Sequence, residues 1–315
     1  SKDDRPRFSE IIAEYMGKAF RQIYSEIFRK DAIIAKSIFA LEEMNLWACL
    51  ENDRIAGEKQ KEKDLLPAAR VATYLSLILL LTDRADDGIQ AAEKGLAACR
   101  SGKDALGEAN TLYVLGDLKK RRDDIDGALQ DYQKALKIYR DINSKLGEAN
   151  TLLAIGDLKK RRDDIDGALP DYQEALKIYR DINSKLGEAS TLLAIGDLKK
   201  RRQDLEGAMR DCQNALKIYR DINSKLGEAS TLLAIGDLKM RRDDLEGAMR
   251  DCQNALTIFR KVEEKTGEAN TLRALGDLKT RRQDLDGALT DYQEALKIYR
   301  DIDEKLGEAN TLQAI

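Results

Sequence analysis

Apolar residues along this chain return in two alternating runs, and the whole pattern repeats every forty residues. In Leu146–Lys185 the first run places Leu146, Ala149, Leu152, Ile155 and Leu158 at three-residue steps, the stripe of an amphipathic helix. The run ends in Lys159-Lys160-Arg161-Arg162, cations where the negative end of a helix dipole favours them. Asp163-Asp164 follows as an N-cap pair, with Asp166 in the next first turn. The second run carries Ile165, Ala168, Leu169, Tyr172, Ala175, Leu176, Ile178, Tyr179 and Ile182, a helix of about 27 Å. Asn183-Ser184 then turns the chain back. No stretch alternates as a strand would.

Leu186–Lys225 repeats Leu146–Lys185 with eight differences, and Leu106–Lys145, Leu226–Lys265 and Thr266–Lys305 carry the same unit. Leu306–Ile315 begins another. A fixed period without insertions predicts an all-α fold, an α-solenoid in which each unit packs on its neighbours.

Leu152-x-x-Ile155-Gly156-x-x-Lys159, followed by Ala168-x-x-x-Tyr172 and Ala175, resembles the tetratricopeptide pattern. Gly156 and Ala168 match its small residues and Tyr172 its aromatic; Leu152, Lys159 and Arg180 depart from its tryptophan, late aromatic and closing proline. The resemblance spans Leu66–Ile315 and implies a right-handed superhelix of helix–turn–helix repeats. Without the proline, the second helix is expected to run longer, accounting for a unit longer than the usual roughly thirty-four residues.

The chain divides into an N-terminal helical cap region (1–65), a degenerate repeat (66–105), five near-identical repeats (106–305) and the first helix of a further one (306–315). Within the cap, Glu42–Leu50 resembles the Glu-x-x-Asn-Leu helix that precedes such repeats in signal-transducing ATPases of the NB-ARC and maltose-activator kind. That resemblance implies a nucleotide-binding part upstream. No Gly-x-x-x-x-Gly-Lys-Ser/Thr occurs in these residues, so no ATP site is expected within them. Pro170 sits early in a second helix; the helix is expected to survive with a bend or a shifted hydrogen bond near Asp166.

Composition narrows the chemistry. The 315 residues are 43% hydrophobic and 35% charged with a formal charge of −3, which gives no global attraction to nucleic acid or anionic membranes. The absence of histidine removes Ser-His-Asp and Cys-His catalysis and histidine zinc sites. Cys49, Cys99, Cys212 and Cys252 form no C-x-x-C, and the last two stand where Tyr172 stands in its own unit; buried thiols in a reducing compartment are expected. The apolar run Val71–Leu81 is too short to span a bilayer, which takes about twenty residues. No enzyme activity, cofactor or membrane association is expected, and the location expected is cytoplasmic.

The tetratricopeptide resemblance places recognition on the concave face lined by the first helices. The groove positions are Asn150, Leu153, Asp157, Lys160 and Arg161, with their equivalents forty residues away, including Leu193, Asp197, Lys200, Arg201, Leu233, Asp237 and Arg241. Asp157 and Arg161 stand four apart, a spacing at which they can pair on the helix surface. Leu153, Leu193 and Leu233 form a row off the main stripe, read as exposed; Tyr113 (beside Asp117) and Arg273 break it. The function expected is a protein–protein interaction module, the sensor or scaffold arm of a larger intracellular regulator, with a protein or peptide as partner. A structural spacer is one alternative. Another is a basic ribbon for an anionic ligand or nucleic acid, built from Lys119–Arg122, Lys159–Arg162 and Lys199–Arg202. Self-association through Leu306–Ile315, whose Ala309, Leu312 and Ile315 lack a covering second helix, is a further expectation.

Overall fold

A computed structural model describes residues 84–315. The N-terminal cap region, the Glu42–Leu50 segment, Val71–Leu81 and Cys49 lie outside the described residues. The described chain divides into two compact units. The unit that runs to Asp163 contains α1 (Ala85–Ser101), α2 (Ala105–Arg121), α3 (Ile125–Asp141) and α4 (Lys145–Arg161). The unit Asp164–Ile315 contains α5 (Ile165–Asp181), α6 (Lys185–Arg201), α7 (Leu205–Asp221), α8 (Lys225–Arg241), α9 (Leu245–Lys261), α10 (Lys265–Arg281), α11 (Leu285–Asp301) and α12 (Lys305–Ala314). Within each unit consecutive helices pack on one another, giving an all-α solenoid of helical hairpins.

Each repeat divides evenly: both helices have 17 residues, as in α2 and α3, and three residues link each to the next. The second helix is therefore no longer than the first, and Ile182 is a half-exposed cap residue past its end. The middle residue of every link is left-handed, from Lys103 (φ 52°) through Asp123 (φ 62°) to Asp303 (φ 55°), recurring every twentieth residue. At Arg122–Asp124 the Asp123 N–H donates to the Lys120 carbonyl and the Asp124 N–H to that of Lys119, a Schellman closure. The Asp124 carboxylate then accepts from the Gly127 N–H at 2.9 Å, so one residue ends a helix and caps the next. Asp164 caps in the same way, and Asp163 holds the left-handed position.

The buried stripe of each first helix is Ala149, Leu152, Ile155 and Leu158; Leu146 is 53% exposed and stands outside it. Opposite lie Ala128 and Tyr132 in the first unit, and Ala269 and Leu272 meet Ala295 and Tyr299 in the second. Burying a side chain of this size contributes about 1.5–3 kcal/mol. The rings fit because glycines face them: a methyl on Gly116 would stand 2.5 Å from the Tyr132 ring, and Gly187 and Gly227 lie as tightly against Tyr179 and Tyr219.

Charge closes the junction between repeats. Arg140 and Lys145 both hold the buried Glu148, at 3.0 and 2.9 Å, and the same trio recurs at Arg180–Lys185–Glu188, Arg220–Lys225–Glu228 and Arg260–Lys265–Glu268. Burial by itself would raise these four carboxyls, but hydrogen bonds and charge from the flanking Arg and Lys outweigh it and hold them below the usual value. A carboxyl depressed on folding stabilises the fold above its unfolded pKa, and that contribution is lost as pH falls through the folded one. The cations are half exposed, so each trio contributes no more than about 1 kcal/mol. The urea midpoint should therefore fall on acidification below about pH 5, and replacing all four glutamates by Gln should flatten that dependence. An equal slope in the quadruple variant would show the trios to be inert.

The helix survives Pro170: α5 runs unbroken from Ile165 to Asp181 with the proline exposed on its surface. Proline has no N–H for the Asp166 carbonyl, and an interior proline costs up to about 3 kcal/mol. Pro170→Gln, the residue at the equivalent position 130, should raise stability by about 1–3 kcal/mol in urea denaturation; an unchanged or lower midpoint would refute this.

Candidate functional site

First helices of successive repeats touch one another directly, α2 with α4 and, in the other unit, α6 with α8, α8 with α10 and α10 with α12. The predicted groove positions thus lie on adjoining helices within each unit.

In the first unit, Tyr113 is half buried against Tyr132, ring centroids 5.4 Å apart. Asp117 accepts from the Tyr132 hydroxyl at 2.7 Å and from Lys120 at 2.7 Å. Asn150 is exposed and Leu153 half buried. The predicted Asp157–Arg161 contact is replaced by others: Lys160 lies 3.7 Å from Asp157, and Arg161 reaches Asp123 at 2.8 Å.

In the second unit the first helices α6, α8 and α10 border a cleft of about 580 Å³. Lys200, Leu233, Asp237, Arg241 and Arg273, all predicted groove residues, line it together with Ser230, Met240 and Asn270. Asp237 is held by Lys200 at 3.0 Å and Arg241 at 3.3 Å. Burial would lower the Lys200 pKa, but the carboxylates of Asp237 and Asp197 outweigh it and hold it above its ordinary value. Arg273 pairs with Asp277 at 3.4 Å, and the other oxygen of Asp277 accepts from the Tyr292 hydroxyl at 2.7 Å. Asp197 and Arg201 pair at 3.8 Å beside the cleft rather than in its lining.

The leucine row is not exposed. Leu193 packs on Met209 and Cys212, and Leu233 on Leu232 and Phe259; both are half buried. Pattern reasoning treated Cys252 as core alone, yet it forms part of the cleft wall. Its signal was the missing tyrosine of its column.

A tetratricopeptide-repeat profile matches residues 67–141 and 227–301. Both segments are tetratricopeptide repeats. No curated protein matches it significantly. Among solved structures it is similar to apo RapI (16% identity, TM-score 0.68, covering 92% of this chain and 99% of that one). A Rap protein complexed with competence and sporulation factor is also similar (15%, 0.65, covering 95% and 80%). So is a signal-transduction ATPase with numerous domains and a tetratricopeptide-repeat sensor from Pyrococcus horikoshii (14%, 0.67, covering 96% and 50%). At these identities the likeness is one of fold.

The basic runs of this chain do not form an open ribbon. Lys119 pairs with Asp131, Lys199 with Asp211, Lys239 with Asp251 and Lys279 with Asp291, all within 2.7 Å. The last three lie off the hydrogen-bond direction, leaving those carboxylate oxygens in ionic contact only. Arg162 reaches back to Asp126, and Arg202 to Asp166. Cys99, Cys212 and Cys252 are buried free thiols pushed up to about 11, 12 and 12, chiefly by desolvation. Among the described residues no cluster could hold a metal ion, and no helix is long and apolar enough to cross a membrane.

Proposed function

We propose that this chain is a non-catalytic protein–protein interaction module, the sensor or scaffold arm of a larger cytoplasmic regulator, that holds a segment of a protein partner on its inner face. The observation that carries this is the cleft between α6, α8 and α10, where five predicted groove residues meet around an apolar floor. Its volume is that of a ligand pocket, for which about 300–1,000 Å³ is usual. A relative of the same fold is complexed with a competence and sporulation factor, and another carries its repeats as a sensor. The paired aspartates serve as turn and cap, which leaves them no shared substrate. A spacer needs no such cleft, and an anion-binding ribbon needs cations that are here already matched with carboxylates.

A displayed random-peptide library panned on the chain tests this reading. Enriched peptides should lose tenfold or more in affinity for Arg273→Glu and keep it for Lys217→Glu, which alters an exposed residue of the second helix α7. No enrichment, or equal binding to both variants, would favour the spacer. Polar replacement of Leu193 or Leu233 would change packing together with the groove, because both lie half buried against core clusters.

A further inference from the structure

The repeats differ at few positions, and four of those differences converge on one place. Residues 132, 172, 212, 252 and 292 form one column: Tyr, Tyr, Cys, Cys, Tyr. Where a tyrosine stands, its ring packs on the first-helix glycine and its hydroxyl donates to the aspartate that follows, Tyr132 to Asp117 and Tyr292 to Asp277, each at 2.7 Å. At 252 only a thiol packs on Gly236, its Sγ 2.7 Å from where a Cβ on that glycine would be. The space of a phenol is left open, and Asp237 turns to Lys200 and Arg241.

The neighbouring columns change with it. Met240 replaces Lys120, Lys160 and Lys200, giving the cleft an apolar wall. Arg273 replaces Leu153, Leu193 and Leu233, and brings a guanidinium to the rim. Phe259 replaces a tyrosine whose hydroxyl elsewhere meets Asn110, Ser190 or Asn270, at 2.7, 2.9 and 2.7 Å. Ser230 therefore has no phenol opposite it, and the residue lines the cleft.

We propose that this cleft is an anchor pocket for one large apolar side chain of a bound protein segment with an acidic residue beside it, and that Cys252 creates the pocket jointly with Met240 and Arg273, the changes that set its repeat apart from that of Cys212. The proposal rests on the groove reading above and names what the groove selects. Leu233, Ala234, Met240, Ala274 and Leu278 supply an apolar lining. Lys200 is shared between Asp197 and Asp237 at 3.1 and 3.0 Å, Arg241 leans on Asp237 at 3.3 Å, and Arg273 meets Asp277 through one nitrogen at 3.4 Å. The planar fork of Arg273 suits a further carboxylate. Ser230 and the Asn270 amide remain for the segment's main chain.

The test uses peptides selected on the chain and two fillers of the pocket. Cys252→Tyr restores the ring that two other repeats hold against an equivalent glycine, and Cys252→Leu fills the space without a hydroxyl. Selected peptides should share an aromatic or large aliphatic residue within two positions of Asp or Glu. Both variants should bind them at least tenfold more weakly, with the thermal midpoint unchanged or higher. Peptides that lose affinity with Arg273→Glu but bind both fillers normally would overturn the anchor pocket and leave the groove reading standing. Failure to select any peptide would instead overturn the groove reading itself.

Discussion

The stack depends on helices approaching closely enough for a glycine of one to lie against the ring or thiol of the next. Gly116 on Tyr132, Gly276 on Tyr292 and Gly236 on Cys252 set that distance within repeats. Gly187 on Tyr179 and Gly227 on Tyr219 set it between repeats. A Cβ at any of these glycines would collide with its neighbour, so the small residue is required by the packing even though glycine weakens a helix by about 1 kcal/mol. With that distance fixed, the links must be short, and a left-handed residue every twentieth position makes each a three-residue turn. The charged trios then tie each second helix to the first helix that follows it.

Much of this architecture is written in the order of residue types. The period, the hairpins and the inner-face positions follow from where Ala, Leu, Gly and Asp recur. What stayed hidden arises from side chains choosing among several partners. Arg161 passes over its i−4 aspartate for Asp123 of the preceding turn, because the left-handed residue swings that carboxylate into reach. Leu193 and Leu233 look exposed on a helical wheel, but each packs one side on a core cluster and stays half buried. The division of the forty residues into equal halves is also silent in the sequence, since Ile182 fits the helical stripe although it lies in the link.

Near-identical repeats make a uniform scaffold, and uniformity by itself recognises nothing. Recognition requires a place where the scaffold departs from its own rule. Replacing a tyrosine by cysteine changes the surface twice, by opening the ring's volume and by releasing an aspartate from its phenol. The packing that stabilises the stack is thus also what, when relaxed at Cys252 together with the changes to Met240 and Arg273, forms the cleft.

The central claim is that peptide capture belongs to the divergent repeat and not to the scaffold as a whole. Replacing residues 226–265 and 266–305 each by the sequence of residues 106–145 removes Cys252, Met240, Arg273 and the Ser230–Phe259 pair while keeping the register. Fluorescence anisotropy of a selected peptide against this chimera is the direct measurement. The account predicts native helicity with binding lost at least tenfold; binding within twofold of the original chain would contradict it.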